Sequence, residues 1–519
     1  MRRALKKTEV RVTKERTLIK GILFQKAFMP ELRGNLRPAF LVSIGNSLYL
    51  SIFLFFSWTA IADVSLPPIF GDHMVLQRDV TVPVWGNSSP GERVSVSFGN
   101  LYEQTVADSS GKWRIMLPAL AKSSQPQSFI INAKNRIELH DVIVGDVWIC
   151  AGEGNMAFPL AKTPEWEDPH GLRSEERIRF YIRDNDVIPI REKGGHWVVC
   201  TRDKASVCSA VGYFFARDLW SSQHIPIGMI QCTKTDSPIS SWFSGASSIS
   251  LAKLNDHSVY KELIAPIVSF SIAGVIWYQG ESDRGLSVLR YRVELQRLIK
   301  EWRKRWALGP FPFFAVTPAG YGESGAVAVD LYSSLQGDST GSLPWLRESI
   351  ATMLTLPMTG VAVADDLGMP EELFPNEKLL VGRRLALLAR HRFYGEMIRD
   401  TGPVCKEVRI EGDKIRVIFE TFGSSLTLGV PPSVSDSFPF SLATSLKGFA
   451  IRGDGTKWFA AKGVIDGRSV LLSCPTVPHP KFVRYNWKDF PEGNLYSEQG
   501  LPVASFRTDL EQPNKVAQP

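Results

Sequence analysis

Six carboxylates sit in short polar turns of this chain: Glu153, Glu281, Asp365, Asp366, Glu371 and Glu372. Gathered at one cleft, a pair of them could divide general acid and general base work on a glycosidic bond. The competing reading is that they are solvated loop residues. Ser282 follows Glu281 directly, and Ser237 closes the stretch Lys234-Thr-Asp-Ser237, so each is a conceivable nucleophile. A serine hydroxyl attacks only when a base takes its proton, and without one hydrogen bonding is its expected role. Eight histidines (His73, His140, His170, His196, His224, His257, His391 and His479) and six cysteines (Cys150, Cys200, Cys208, Cys232, Cys405 and Cys474) complete the reactive inventory. The cysteines form no C-x-x-C pair and no zinc-like spacing with histidine, so neither a metal nor another cofactor is expected. Buried free thiols and disulfides both stay open for them.

These residues must be held by elements that the apolar pattern outlines. Val64 to about His140 has short alternating runs such as Thr81-Val-Pro-Val-Trp-Gly86 and Arg93-Val-Ser-Val-Ser-Phe98, broken by turn residues, which predicts a β-sandwich over 63–140. From Val142 the texture changes. Strands are expected at 142–149, 225–231, 272–278, 311–316 and 358–364, and helices at 210–221, 289–306 and 376–394. Strands alternating with helices imply a mostly parallel sheet covered on both faces, an α/β domain over 141–403. A β-region comes next over 404–509, and 510–519 reads as a disordered tail.

Charge narrows the partners. The net charge of +7 resides in the leader, where Met1 to Pro38 carries eleven Lys or Arg against three Glu, a balance of +8 that leaves about −1 for the rest. No nucleic-acid partner is implied. Ala39 to Ala62 is uncharged, holds the apolar run Leu48 to Ser57 and ends in Ala60-Ile-Ala62, the pattern of a signal peptide cleaved before Asp63. The expectation is a leader plus signal over 1–62, with Met29 a possible start, and a secreted or periplasmic protein. The alternative is an uncleaved membrane anchor.

One turn carries a resemblance. Cys150-Ala-Gly-Glu-Gly-Asn-Met156 is similar to the Gly-Gln-Ser-Asn-Met nucleophile turn of the sialate O-acetylesterase-like carbohydrate esterases, members of the SGNH hydrolases. Further motifs stand in the family's order: Leu66–Gln77 with Val84-Trp-Gly86, Gly274-Val-Ile-Trp-Tyr-Gln-Gly-Glu-Ser282, Val381-Gly-Arg-Arg-Leu-Ala386, and Arg484-Tyr-Asn-Trp487 through Phe506-Arg-Thr508. Together they span Leu66 to Thr508. The resemblance implies an SGNH-type (flavodoxin-like) three-layer α/β/α domain flanked by an N-terminal β-sandwich and a C-terminal β-region. It also implies hydrolysis of acetyl esters on sugars.

The same resemblance shows what has changed. The nucleophile position is Gly154, which has no side chain. The family's Asp-x-His-Pro loop reads Glu372-Leu-Phe-Pro375, so Phe374 stands at the base and Glu372 at the orienting acid. None of the eight histidines falls in a loop that the family reading places beside Gly154. The family's Trp-Gly-Gly-Thr loop reads Lys234-Thr-Asp-Ser237, which puts Asp236 where an oxyanion-facing glycine is expected. Gln279 is retained, and its amide could still donate to an oxyanion. Sugar contacts are expected from Asn155, Gln279, Glu281, Trp242 and Trp487, the two indoles by stacking on ring faces.

The expectation is an exported family member that has lost its esterase machinery and keeps a carbohydrate-binding cleft. Two alternatives stand beside it. One is an active carbohydrate O-acetylesterase with a relocated nucleophile at Ser282 or Ser237. The other is a non-catalytic structural or interaction module of the cell envelope.

Overall fold

The computed structural model describes residues 63–168, 174–183, 194–245, 258–284, 288–322, 342–429 and 444–509. The leader, the expected signal, His170, His257 and the tail lie outside the described residues. No helix among the described residues is long and apolar enough to cross a membrane.

The first seven strands are β1 (Val75–Gln77), β2 (Val82–Asn87), β3 (Arg93–Phe98), β4 (Leu101–Val106), β5 (Lys112–Leu117), β6 (Ser123–Asn132) and β7 (Arg136–Gly152). In β5 the burial alternates strictly, with Trp113, Ile115 and Leu117 inward, as a sheet covered on one face requires. β7 is 17 residues long, and its two halves have different neighbours. The first half pairs with β6, antiparallel, and with β1. The second half pairs with two strands of the next sheet. The boundary expected near position 140 thus falls inside one continuous strand, which ties the sandwich rigidly to the α/β domain.

That next sheet adds β8 (Glu175–Ile182), β9 (His196–Cys200), β10 (Ile227–Thr233), β11 (Gly274–Tyr278), β12 (Phe313–Val316) and β13 (Thr359–Ala362). Its order is β13-β12-β11-β7-β10-β8-β9, parallel throughout except for the edge strand β9. Helices cover both faces, so β10 and β11 are buried along their whole length and β7 from Val142 onward. Along β7, Val147, Ile149 and Ala151 join one core with helices Val288–Trp306 and Leu343–Ala351, while Trp148 and Cys150 join another with helices Ala210–Gln223 and Lys378–Arg392. Helix Ala210–Gln223 begins at Ser209, whose hydroxyl accepts from the Gly212 amide, and ends at His224 in the left-handed conformation. Gly382 lets helix Lys378–Arg392 approach it closely, since a Cβ there would lie 2.6 Å from Phe214 Cβ. Four cysteines are buried, and all six are free thiols.

The C-terminal region consists of antiparallel sheets around a third core that includes Ile415, Phe419, Ile451, Val470 and Val483. It is bolted to the α/β domain by ion pairs and hydrogen bonds. Asp365 accepts from the Ser505 amide at 3.0 Å and from Thr317 Oγ1 at 2.6 Å. Asp366 takes both ends of the Arg384 guanidinium (2.6 and 2.7 Å) and the Tyr496 hydroxyl (3.1 Å).

Candidate active site

β7 has β10 on one side and β11 on the other, so the chain leaves the carboxyl end of β7 at the point where its parallel neighbours diverge. Such a switch point opens a crevice beyond the strand ends. Three loops meet there. Gly152 closes β7 with φ +148° and its Cα against the Tyr278 carbonyl, a conformation and a closeness that exclude a side chain. The loop after β10 comes alongside, because the Lys234 amide donates to the Gly152 carbonyl at 3.0 Å. The loop Glu371–Pro375 is tied down by Asn155, whose Nδ2 donates to the Leu373 carbonyl at 3.1 Å.

Gly154 and Phe374 meet at the centre. A Cβ built on Gly154 would lie 2.6 Å from Cζ and 3.0 Å from Cδ1 of the Phe374 ring, with Cε1 nearer still. Real Cβ contacts do not come so close, so the ring occupies the space of a side chain at position 154. Phe374 is nevertheless 39% exposed, with its outer part toward solvent.

Beneath them lies a buried polar cluster. Glu153 accepts from Gln279 Nε2 at 2.5 Å and from the hydroxyl of Ser282. Gln279 Nε2 also donates to Asp283 at 2.7 Å and to the Ser237 carbonyl at 3.2 Å. Asn155 donates to Glu281 and accepts from Lys378 Nζ at 2.7 Å. Gln279 Oε1 and Glu281 Oε2 are buried without a hydrogen-bond partner. Burial first, then the neighbouring Glu281 charge, pushes the Glu153 carboxyl up to about 8. Burial likewise raises Asp283 to about 7 and Glu281 above the ordinary carboxylate range. It pulls the Lys378 amine down to about 7, against the opposing pull of Glu281. Lys378 Nζ lies 4.9 Å from the Phe158 ring centre and 5.8 Å from that of Tyr278.

This geometry corrects several expectations. Gln279 cannot serve an oxyanion, because the same amide nitrogen is committed to three acceptors. Asn155, Gln279 and Glu281 are buried and form the floor of the crevice, not a sugar-contacting surface. Trp242 is fully buried, packed edge-on to Trp277 at 5.0 Å, with its Nε1 donating to the Ser237 carbonyl. Trp487 is buried too, edge-on to Trp345 at 5.2 Å and flanked by Arg484 and Arg507. Neither indole offers a face to a ligand. Ser237 is buried and spends its hydroxyl on the Lys234 carbonyl at 2.6 Å. Asp365 and Asp366 serve the C-terminal junction, so of the six carboxylates only Glu153 and Glu281 share the floor.

The groups that do face solvent around the turn are Asp236, Ser282, Glu371, Glu372 and Phe374. Asp236 has φ +51°, the left-handed conformation a glycine would adopt freely. No histidine among the described residues hydrogen-bonds a serine or threonine hydroxyl. His73 instead pairs with Asp141 at 2.6 Å and His391 with the Glu396 carbonyl at 2.8 Å. Nor do the described residues gather three His, Cys, Asp or Glu side chains in an arrangement fit for a metal. Motif reasoning misses Lys378 and Asp283. A lysine in the first turn of a helix opposes the helix dipole, and that mismatch at Lys378 is a readable signal of a local partner.

Comparison with known proteins bears on the same region. The profile of the carbohydrate esterase family described as sialic acid-specific acetylesterase matches residues 144–336. Human sialate O-acetylesterase is 27% identical over 402 residues, covering 66% of this chain and 73% of its own. The mouse sialate O-acetylesterase is 23% identical over 419 residues, covering 65% and 75%. The crystal structure of a carbohydrate acetylesterase from Xanthomonas citri is similar with a TM-score of 0.74 and 33% identity, covering 86% of this chain and all of that one.

Proposed function

Since the chain belongs to the sialate O-acetylesterase-like carbohydrate esterases, we propose that it is a member whose ester hydrolysis has been lost and whose crevice binds carbohydrate. One observation carries the proposal: the Phe374 ring fills the volume of the side chain that position 154 lacks. Nucleophile and base are therefore replaced as a pair that fits together, not as two independent accidents. Removing either from a serine hydrolase costs on the order of a million-fold in turnover. The third replacement, Asp236, adds an exposed carboxylate to the loop that the family resemblance places at the oxyanion, where a negative charge nearby opposes the one the transition state develops. Export to the periplasm or the cell exterior, from the signal-like segment ending at Ala62, belongs to the same proposal.

The test is restoration. Gly154→Ser together with Phe374→His supplies a nucleophile and a base on the retained scaffold, and hydrolysis of p-nitrophenyl acetate should rise above that of the parent and of each single variant. If the double variant folds and stays silent even with Asp236→Gly added, the crevice is not the remnant of an esterase site.

A second reading rests on Ser282, which is exposed and donates its hydroxyl to Glu153. Glu153 could accept that proton only when ionised, and with its carboxyl pushed to about 8 it is mostly protonated at pH 7. Hydrolysis by this pair is thus confined to alkaline solution. An organophosphonate label on Ser282 at pH 9 and not at pH 6.5 would support it, and absence of label at both would reject it.

A further inference from the structure

The loss of a base at position 374 has placed an aromatic ring, partly open to solvent, at the centre of the crevice. We propose that this ring is a stacking platform for an uncharged, unacetylated pyranose, and that the crevice disfavours anionic sugars such as sialic acid. The inference rests on the carbohydrate-binding reading above and gives it a substrate class.

Three features point the same way. First, a pyranose has an apolar face of C–H groups that packs on an aromatic ring while its equatorial hydroxyls reach outward. Phe374 is 39% exposed, whereas Trp242 and Trp487 are sealed in the interior, so Phe374 is the ring available for such packing. Second, the acyl carbon of an ester would have to approach position 154, and that approach is filled by Cε1 and Cζ of the ring. An acetyl group has no seat there, so the free hydroxyl form fits better than the ester. Third, the exposed charged groups beside the ring are acids. Asp236 comes from the loop after β10, and Glu371 and Glu372 come from the loop that carries Phe374. Lys234 and Arg284 are half-buried, and Arg284 is turned onto the Tyr321 ring at 5.5 Å with its Nε bonded to the Glu281 carbonyl. Lys378 is buried under the floor. A sugar carboxylate entering beside the ring would meet the repulsion of these three exposed acids. Sugar hydroxyls, by contrast, are donors that carboxylates and the exposed Ser282 hydroxyl accept.

The experiment applies the purified protein to a glycan array of neutral, O-acetylated and sialylated glycans, with calorimetric titration of the hits. Binding is expected among neutral unacetylated glycans, weaker for their O-acetylated forms and absent for sialylated ones. Phe374→Ala should weaken a hit by about tenfold, while Phe374→Tyr should hold it within about threefold. Preferential binding of sialylated or O-acetylated glycans, or unchanged binding by Phe374→Ala, overturns this inference and leaves the carbohydrate-binding reading intact. An array with no hit in any class overturns that reading and the inference with it. The wild-type preference needs no variant, so it decides the charge question even if Phe374→Ala misfolds.

Discussion

A hydroxymethyl group at position 154 has to contend with the Phe374 ring, and the cost can be worked out. The Cβ of Gly154→Ser would begin 2.6 Å from Cζ and within 3.0 Å of two other ring carbons. Relief requires about 1 Å of movement by the ring or by the turn. Forcing extra atoms into packed surroundings costs about 1–3 kcal/mol, and Gly154 is itself buried. Phe374 is held through its neighbour, where Asn155 grips the Leu373 carbonyl, so the loop cannot swing away freely. Equilibrium urea unfolding of Gly154→Ser should therefore show a loss of about 1–3 kcal/mol. Phe374→Ala alone removes a half-exposed ring and should cost about 1 kcal/mol or less. In the double variant the clash is gone, so the combined loss should fall short of the sum by at least about 1 kcal/mol. Additivity within about 0.5 kcal/mol would refute the claim that the ring occupies the space of the missing side chain.

Other perturbations probe the same geometry. Glu153 and Asp283 carry folded-state pKa values raised by burial, so each destabilises the fold above its unfolded value. Stability should fall as pH rises from about 4.5 toward about 8. Glu153→Gln should leave stability unchanged near pH 4 and raise it at pH 8 by on the order of a few kcal/mol, measured by urea unfolding at both. Lys378 acts in the opposite sense: its lowered pKa is a penalty below pH 7 that is relieved as pH rises toward 10.5. Lys378→Met should therefore stabilise most in acid. Arg484 is buried against Asp509 and lies 4.3 Å from the Trp458 ring centre. Arg484→Ala leaves the buried Asp509 charge with only the longer contact to Arg507 at 3.8 Å and should cost about 3 kcal/mol. Asp236→Gly relieves a left-handed backbone and should be neutral or stabilising by up to about 1 kcal/mol.

The architecture is largely written in periodicity. The helices expected at 210–221, 289–306 and 376–394 form within two residues of those bounds, since their apolar spacing agrees with the packing they enter. The sandwich boundary is not legible, because a composition shift at 140 cannot show that one strand, β7, serves two sheets. The turn of Gly154, the Phe374 loop and the Lys234–Ser237 loop are each legible as motifs, and the fold brings all three together. What motifs cannot give is depth. Trp242 and Trp487 lie in polar sequence yet are sealed by Trp277 and Trp345, residues distant in the chain. Asn155, Gln279 and Glu281 read as ligand contacts because polar side chains near a site usually are. Here Asn155 bonds Glu281 and Gln279 bonds Glu153 and Asp283 below the surface, and the half-exposed phenyl ring at position 374 reads in the sequence only as a replacement of the family's base.

The most direct test of the proposed loss of ester hydrolysis is acetate release by the purified wild-type protein from O-acetylated sugars at pH 7 and at pH 9. With Gly154 at the nucleophile position and Phe374 pressed into its space, acetate should accumulate no faster than in buffer alone. Turnover at ordinary enzymatic rates, persisting through repeated purification and lost on Ser282→Ala, would contradict the account and move the reaction to the Ser282 and Glu153 pair.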